Sequence, residues 1–163
     1  MVAQNGATLR HAADELKGDR DFVLAAVALN GLALRFASAK FKGDRDVVLA
    51  AVGQDGFVLK FADDALKADK GLVLAAVRKN GLALSEASDA LKADRDVVLA
   101  AATVKAEAFW YASAELKADR NFVLSVVAQN GAALRHADPS LQEDPEILAA
   151  RRFGVDKAIT YCI

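Results

Sequence analysis

Two histidines, one cysteine and a ladder of cations are the residues of this chain with chemistry to offer. His11 and His136 hold the same place in a pattern that returns every 25 residues, five periods apart. In helical layers ~9–10 Å apart that puts them ~45–50 Å from each other, so they share neither a metal nor a proton. Cys162 and His136 would make a nucleophile and a base, yet no orienting third group or anion-holding loop accompanies them, and the cysteine falls in a short tail. The sequence contains no Gly-rich phosphate loop, HExxH, CxxC or GxSxG. These residues predict a protein that is not an enzyme, with no catalytic residue, no metal and no cofactor.

Lys17, Lys42, Lys67, Lys92 and Lys117 recur beside Arg20, Arg45, Lys70, Arg95 and Arg120. Such a ladder would track a polyanion if it stood alone. An equally regular row runs through Asp19, Asp44, Asp69, Asp94, Asp119 and Asp144, and each Asp is placed to cap a helix and neutralise its neighbours. The ladder therefore reads as a solvated, mutually paired edge, and nucleic acid is not expected as a partner.

The remaining candidates are surfaces for a protein partner. Phe36 and Phe61 occupy matching places and read as core or groove-lining aromatics. Trp110, the only tryptophan, stands where other units carry Arg10, Arg35, Lys60, Ser85 and Arg135, so it is expected at the surface, with Tyr111 at its margin and Phe109 buried. An exposed Trp beside a Tyr is the kind of anchor that dominates interface energetics. The opposing expectation is that loss of the usual stop at Lys105-Ala106 rotates the following segment and carries the indole inward. Val2 and Leu9 are further partner-binding candidates, because no preceding unit covers them.

The elements that carry these residues follow from the period. Each unit opens on an Asp N-cap, continues through an apolar face such as Val48, Leu49, Ala51 and Val52, and reaches Asn-Gly or Asp-Gly, as at Asn30-Gly31 and Asp55-Gly56. The glycine is expected to supply the left-handed residue that ends a helix. A second helical pattern, Val58, Leu59, Ala62 and Leu66, leads to Leu-Lys-Ala-Asp and the next cap. The recurring Ala62 position predicts a close crossing with no room for a larger side chain. At Lys105-Ala106 no Gly is present, so the two helices are expected to fuse or bend there.

The expected fold class is all-α, an α-solenoid of about six stacked two-helix repeats of 25 residues. The single domain 1–163 divides into a half-unit 1–18, repeats 19–43, 44–68, 69–93, 94–118 and 119–143, and a capping unit with tail 144–163. Arg151 and Arg152 stand at positions that are apolar elsewhere, which would prevent a further unit from stacking. With 54% apolar residues, 26% charged residues and a net charge of −1, the chain gives no reason to expect an anionic membrane as partner. No apolar run is long enough for a transmembrane segment, and no signal or transit peptide is visible. A lone cysteine fits a soluble protein of a reducing compartment, cytoplasm or organelle interior.

Taken together, DRxVVLAAV, NG, xALxxA and LKAD resemble an uncharacterised family of tandem repeats known only as a domain of unknown function, over residues 2–154. That resemblance carries over no catalytic residue. Function is thus read as a non-enzymatic helical-repeat scaffold mediating protein–protein interaction through its elongated surface. The alternative is a structural accessory subunit of a large multiprotein assembly, for instance an organellar one, and a small-molecule binder or enzyme ranks third.

Overall fold

A computed structural model describes residues 8–11 and 13–151, and among them there are helices and no strand. The 25-residue units stack side by side as an all-α solenoid. Each begins with a ten-residue α-helix: Arg20–Leu29, Arg45–Gln54, Lys70–Lys79, Arg95–Val104 and Arg120–Gln129. The Asp before each helix accepts backbone N–H groups of the first turn, as Asp44 does from Asp46 and Val47 at 3.0 and 3.2 Å. Val47, Val48, Ala51 and Val52 are buried from this helix, whereas Leu49, expected with them, is 38% exposed. Neighbouring helices lie on both sides of each inner helix, so the buried stripe faces along the stack and toward the following segment, and Leu49 points away from both.

The second helical pattern is one stretch in sequence but two pieces in space. A 3-10 helix comes first, Gly31–Phe36, Gly56–Phe61, Gly81–Glu86, Ala106–Tyr111 and Gly131–His136. A short helical turn follows, such as Ala39–Lys42, Asp64–Lys67 or Asp89–Lys92. The joint is the recurring alanine, which is not inside a helix crossing as expected but extended, with φ −69° and ψ 157° at Ala62. The physical gain lies in the next residue. Its N–H leaves the local helix and donates to the lysine carbonyl at or next to the end of the preceding unit's short turn: Asp63 to Lys42, Ser88 to Lys67, Ser113 to Lys92 and Asp138 to Lys117, at 2.9–3.0 Å. A helix end always has carbonyls without partners, and here the next unit supplies the donor.

The Asn-Gly pairs also act differently from a left-handed stop, because no described residue has positive φ. Asn30 is extended at φ −152° and ψ 108°, ends one helix, and accepts the Leu32 N–H at 3.0 Å to begin the 3-10 segment. Gly31 is required by the neighbour. A Cβ there would stand 2.5 Å from the Ala51 carbonyl oxygen of the next unit, and Gly56 and Gly81 press on the Ala76 and Ala101 carbonyls in the same way.

At Lys105-Ala106 the helices neither fuse nor bend. Lys105 takes φ −143° and ψ 121°, the conformation of Asp55, and the 3-10 segment starts on time. Since the stop never depended on a left-handed glycine, losing the glycine does not remove it. The junction is instead rearranged beside the extra methyl: the Asn130 side chain does not cap its own segment but donates to the Ala102 carbonyl at 3.0 Å.

At the two sides of the stack the outcome is mixed. Leu9 is fully buried beneath the first complete unit, as Leu34 and Leu59 are in theirs, which removes it as an uncovered contact residue. Leu16 is 43% exposed, while Phe41, Leu66, Leu91 and Leu116 at the same place are buried and Leu141 is partly buried. Val2, Ala12, Arg152 and Cys162 lie outside the described residues. Residues 145–151 are helical, Ile147 is buried, and Arg151 is exposed with its backbone against Gly131.

One row of the charge ladder forms a paired edge between units, while in the other Lys17, Lys67 and Lys92 pair within their own turns with Asp14, Asp64 and Asp89. Arg20 reaches Asp44 at 2.8 Å, Arg45 reaches Asp69 at 2.8 Å, Lys70 reaches Asp94 at 2.8 Å, Arg95 reaches Asp119 at 2.6 Å and Arg120 reaches Asp144 at 2.8 Å. Each of these carboxylates thus caps its own helix and holds the cation of the unit before it. The guanidinium of Arg20 holds Asp44 below the usual carboxylate range, and Arg45 and Arg120 do the same to Asp69 and Asp144. Partial burial pushes Asp94 up, but Lys70 and the Val97 N–H bring it below its ordinary value; Asp119 is lowered by the Phe122 N–H and then by Arg95.

A group whose pKa is lowered on folding contributes stability above its unfolded pKa and loses it as pH falls through the folded value. The melting temperature is therefore expected to hold from neutral pH down to about 4 and to fall steeply below that. In the Asp69→Asn variant the acid fall should be shallower. Melting curves between neutral and strongly acid pH check this, and an equally steep fall in the variant would remove Asp69 from the linkage.

Candidate functional site

The 3-10 segments form one long face of the solenoid, and two rows of side chains run along it. One row is Arg35, Lys60, Ser85, Trp110 and Arg135, preceded by Arg10 on the α-helix Thr8–His11, and beside it run Phe36, Phe61, Glu86, Tyr111 and His136. A 3-10 helix places residues three apart over one another, so Leu32 and Arg35 look outward together and Gly31 and Leu34 are buried together, while Phe36, at the last position, is half-buried over Ala33. The extended alanine joint ends each segment and fixes its register.

Trp110 is 63% exposed, so the backbone at Lys105 does not rotate it inward. Its ring meets the His136 ring edge to face at 6.1 Å, and the Lys117 ammonium lies 5.6 Å from the indole centre while donating to the Trp110 carbonyl at 3.4 Å. Arg135 donates from Nε to His136 Nε2 at 3.0 Å and pairs with Glu107 of the preceding unit. Accepting that bond requires a neutral imidazole, and both partial burial and the Arg135 charge push the His136 pKa down. The four side chains border a groove of about 340 Å³ that continues to Pro139 and Gln142. Tyr111 stands beside it at the exposed margin, and Phe109 is buried against Phe122 at 6.2 Å.

Phe36 and Phe61 are half-buried and border a second groove of about 330 Å³ with Arg10, Leu32, Arg35 and Lys60. Their ring faces are not open: Arg35 lies 5.6 Å from the Phe36 centre and Lys60 lies 4.9 Å from both Phe57 and Phe61. The two grooves share the face and are separated by Ser85 and Glu86, which hydrogen-bond to each other at 3.1 Å.

The structure thus brings Phe36 with Phe61 and Trp110 with Tyr111, but not the two pairs together, and it withdraws Leu9. Sequence reasoning missed Lys117, Arg135 and His136 around the indole, and the cations around Phe36 and Phe61. Their common row was the available signal. Among the described residues no cluster of His, Cys, Asp and Glu is placed to hold a metal, and no helix is long and apolar enough to cross a membrane.

A family profile described as Domain of unknown function (DUF4116) matches four times in tandem, at residues 1–42, 19–67, 69–117 and 119–148. The chain belongs to this family. The matches after the first begin on Asp19, Asp69 and Asp119, so the profile takes two structural units at a time and starts each on the helix-capping Asp. No curated protein and no solved structure matches the chain.

Proposed function

We propose that this DUF4116 chain is a non-enzymatic scaffold that binds another protein through its 3-10 face. The observation that carries the reading is Trp110. The largest side chain of the sequence stands outward in a row otherwise made of small or charged residues, held at the mouth of a groove by His136 and Lys117. An indole ordered in this way loses little freedom when a partner covers it, and such aromatic anchors contribute ~2 kcal/mol or more to binding. Repeat proteins of this build use an extended face of successive units for the same purpose.

Exposure itself has a direct check. Trp110 emission is expected to be red-shifted and quenched by iodide; a blue-shifted, unquenched spectrum would return the indole to the interior. Function is tested by a photo-crosslinking amino acid placed at position 110 and, as control, at Arg78 on the exposed side of a first helix. A single defined protein crosslinked in the native source from position 110 and not from 78 supports the reading. Equal or absent crosslinking at both overturns it. A permanent subunit of a large assembly is the second reading, favoured by Leu16, which is exposed where Phe41, Leu66, Leu91 and Leu116 are buried. Light scattering separates the two, since the scaffold should be monomeric alone and the stranded subunit should self-associate.

A further inference from the structure

The groove between Arg10 and Lys60 has a character that the Trp110 groove lacks. None of its lining residues is acidic, and neither Arg35 nor Lys60 makes an ion pair with any described residue. The contrast lies within the molecule. Every arginine of the paired edge has a carboxylate of the next unit, and Arg135 in the other groove has Glu107, whereas this groove is lined, among the described residues, by three cations and no carboxylate. The strip is also apolar underneath, through Leu32, Phe36 and Phe61.

Its spacing follows from the stack. Arg10, Arg35 and Lys60 belong to consecutive units, and packed helices lie ~8–10 Å apart. A peptide in the extended left-handed polyproline conformation advances ~9.3 Å in three residues and returns the third side chain to the same side. One unit of solenoid therefore matches one turn of such a peptide. Carboxylates at every third residue would meet the three cations in turn, and an apolar residue between them would lie against Leu32, which is 51% exposed. A nucleic-acid strand fits less well. Base binding needs open aromatic faces for stacking, and Arg35 and Lys60 already stand over those of Phe36 and Phe61.

The geometry points to a docking site on the Thr8–His11 helix and the first two 3-10 segments for an extended acidic peptide with a carboxylate at every third residue and an apolar residue between. This rests on the reading of the 3-10 face as the binding face, and it names the chemistry of one ligand on it. Two arms of the recognition are independent: the cations set affinity and salt dependence, while the one-unit spacing sets register.

The test is fluorescence anisotropy of a labelled peptide made of four Glu-Pro-Leu repeats, titrated with the full chain. Binding is expected to weaken about tenfold or more in Arg35→Glu/Lys60→Glu, and by severalfold in the neutral pair Arg35→Gln/Lys60→Gln, with unchanged circular dichroism for both because these side chains are exposed. It is also expected to weaken severalfold as salt rises from low to physiological. A peptide of the same composition with its four glutamates adjacent should bind at least about fivefold less tightly, since only one carboxylate per turn can be in register. No binding of the repeat peptide, equal binding of the two peptides, indifference to both double variants, or tighter binding of an oligothymidine would each overturn the inference. Trp110→Ala should leave peptide binding unchanged. Failure of the peptide with crosslinking at position 110 intact removes this inference alone, and loss of crosslinking with the peptide still bound removes the Trp110 reading alone.

Discussion

Phe109→Ala is expected to destabilise the chain by about 3–5 kcal/mol, the usual loss for emptying a fully buried aromatic site. Phe109 has no exposure and meets Phe122 of the next unit edge to face, so the cavity would open at a junction between units and not within one. In a linear array each unit is stabilised only by its neighbours, and a weakened junction lets the segment after it open separately. The melting temperature should fall by roughly 6–20 °C and the transition should broaden. Phe109→Leu, which restores the side chain found at Leu34, Leu59 and Leu84, should lose less than about 1.5 kcal/mol. The neighbouring Trp110→Ala should stay within about 0.5 kcal/mol, because its ring is largely in solvent. Equal melting shifts for the two alanine variants would reverse the assignment of faces.

Gly56→Ala is expected to destabilise by about 1–3 kcal/mol, while Gly53→Ala, three residues earlier, stabilises by about 0.5–1 kcal/mol. A methyl at Gly53 meets nothing within 4 Å and removes the helix penalty of glycine. A methyl at Gly56 collides with the Ala76 carbonyl and crowds the Asn80 N–H at 3.1 Å, both backbone atoms that cannot turn aside. The two units would have to separate. Ala106 shows that such a junction can exist, but there the residue at the place of Ala76 in the repeat is Val126, and the Asn130 side chain donates to the Ala102 carbonyl instead of capping its own segment. Chemical denaturation of the two variants decides the matter, and stabilisation by both would mean that the glycine is no contact point.

Much of the architecture was legible because it repeats. A 25-residue period without insertions, an Asp before each apolar run and a short polar link after each LK determine an array of helical units, and local capping chemistry is strong enough to place the helix starts. The paired edge was legible for the same reason. Opposite charges one residue apart, repeated in register, must meet once the units stack. Trp110 could be assigned to the surface because a position filled by Arg10, Arg35, Lys60, Ser85 and Arg135 faces water in the shared backbone.

What the pattern could not reveal is everything that depends on the adjacent unit. Val58, Leu59, Ala62 and Leu66 have the spacing of one helix, and local propensity gives no reason to break it. The break at Ala62 arises because the Asp63 N–H finds its acceptor on Lys42, in the unit before. Glycine after Asn looked like a left-handed stop, since that is its commonest local use, but its requirement comes from the carbonyl of the next unit's helix. Leu9 was placed at an uncovered end by counting units, yet the following unit buries it. The two grooves likewise join side chains from two or three units, Arg10 with Phe36 and Lys60, Trp110 with His136. Sequence periodicity by itself determined the helical units, their capping and which rows face water, because those are set within one period. Only the tertiary structure decided where helices break, why glycine is needed and which rows converge into a site, because the partner atoms that settle these belong to the neighbouring unit and local sequence carries no record of their distance.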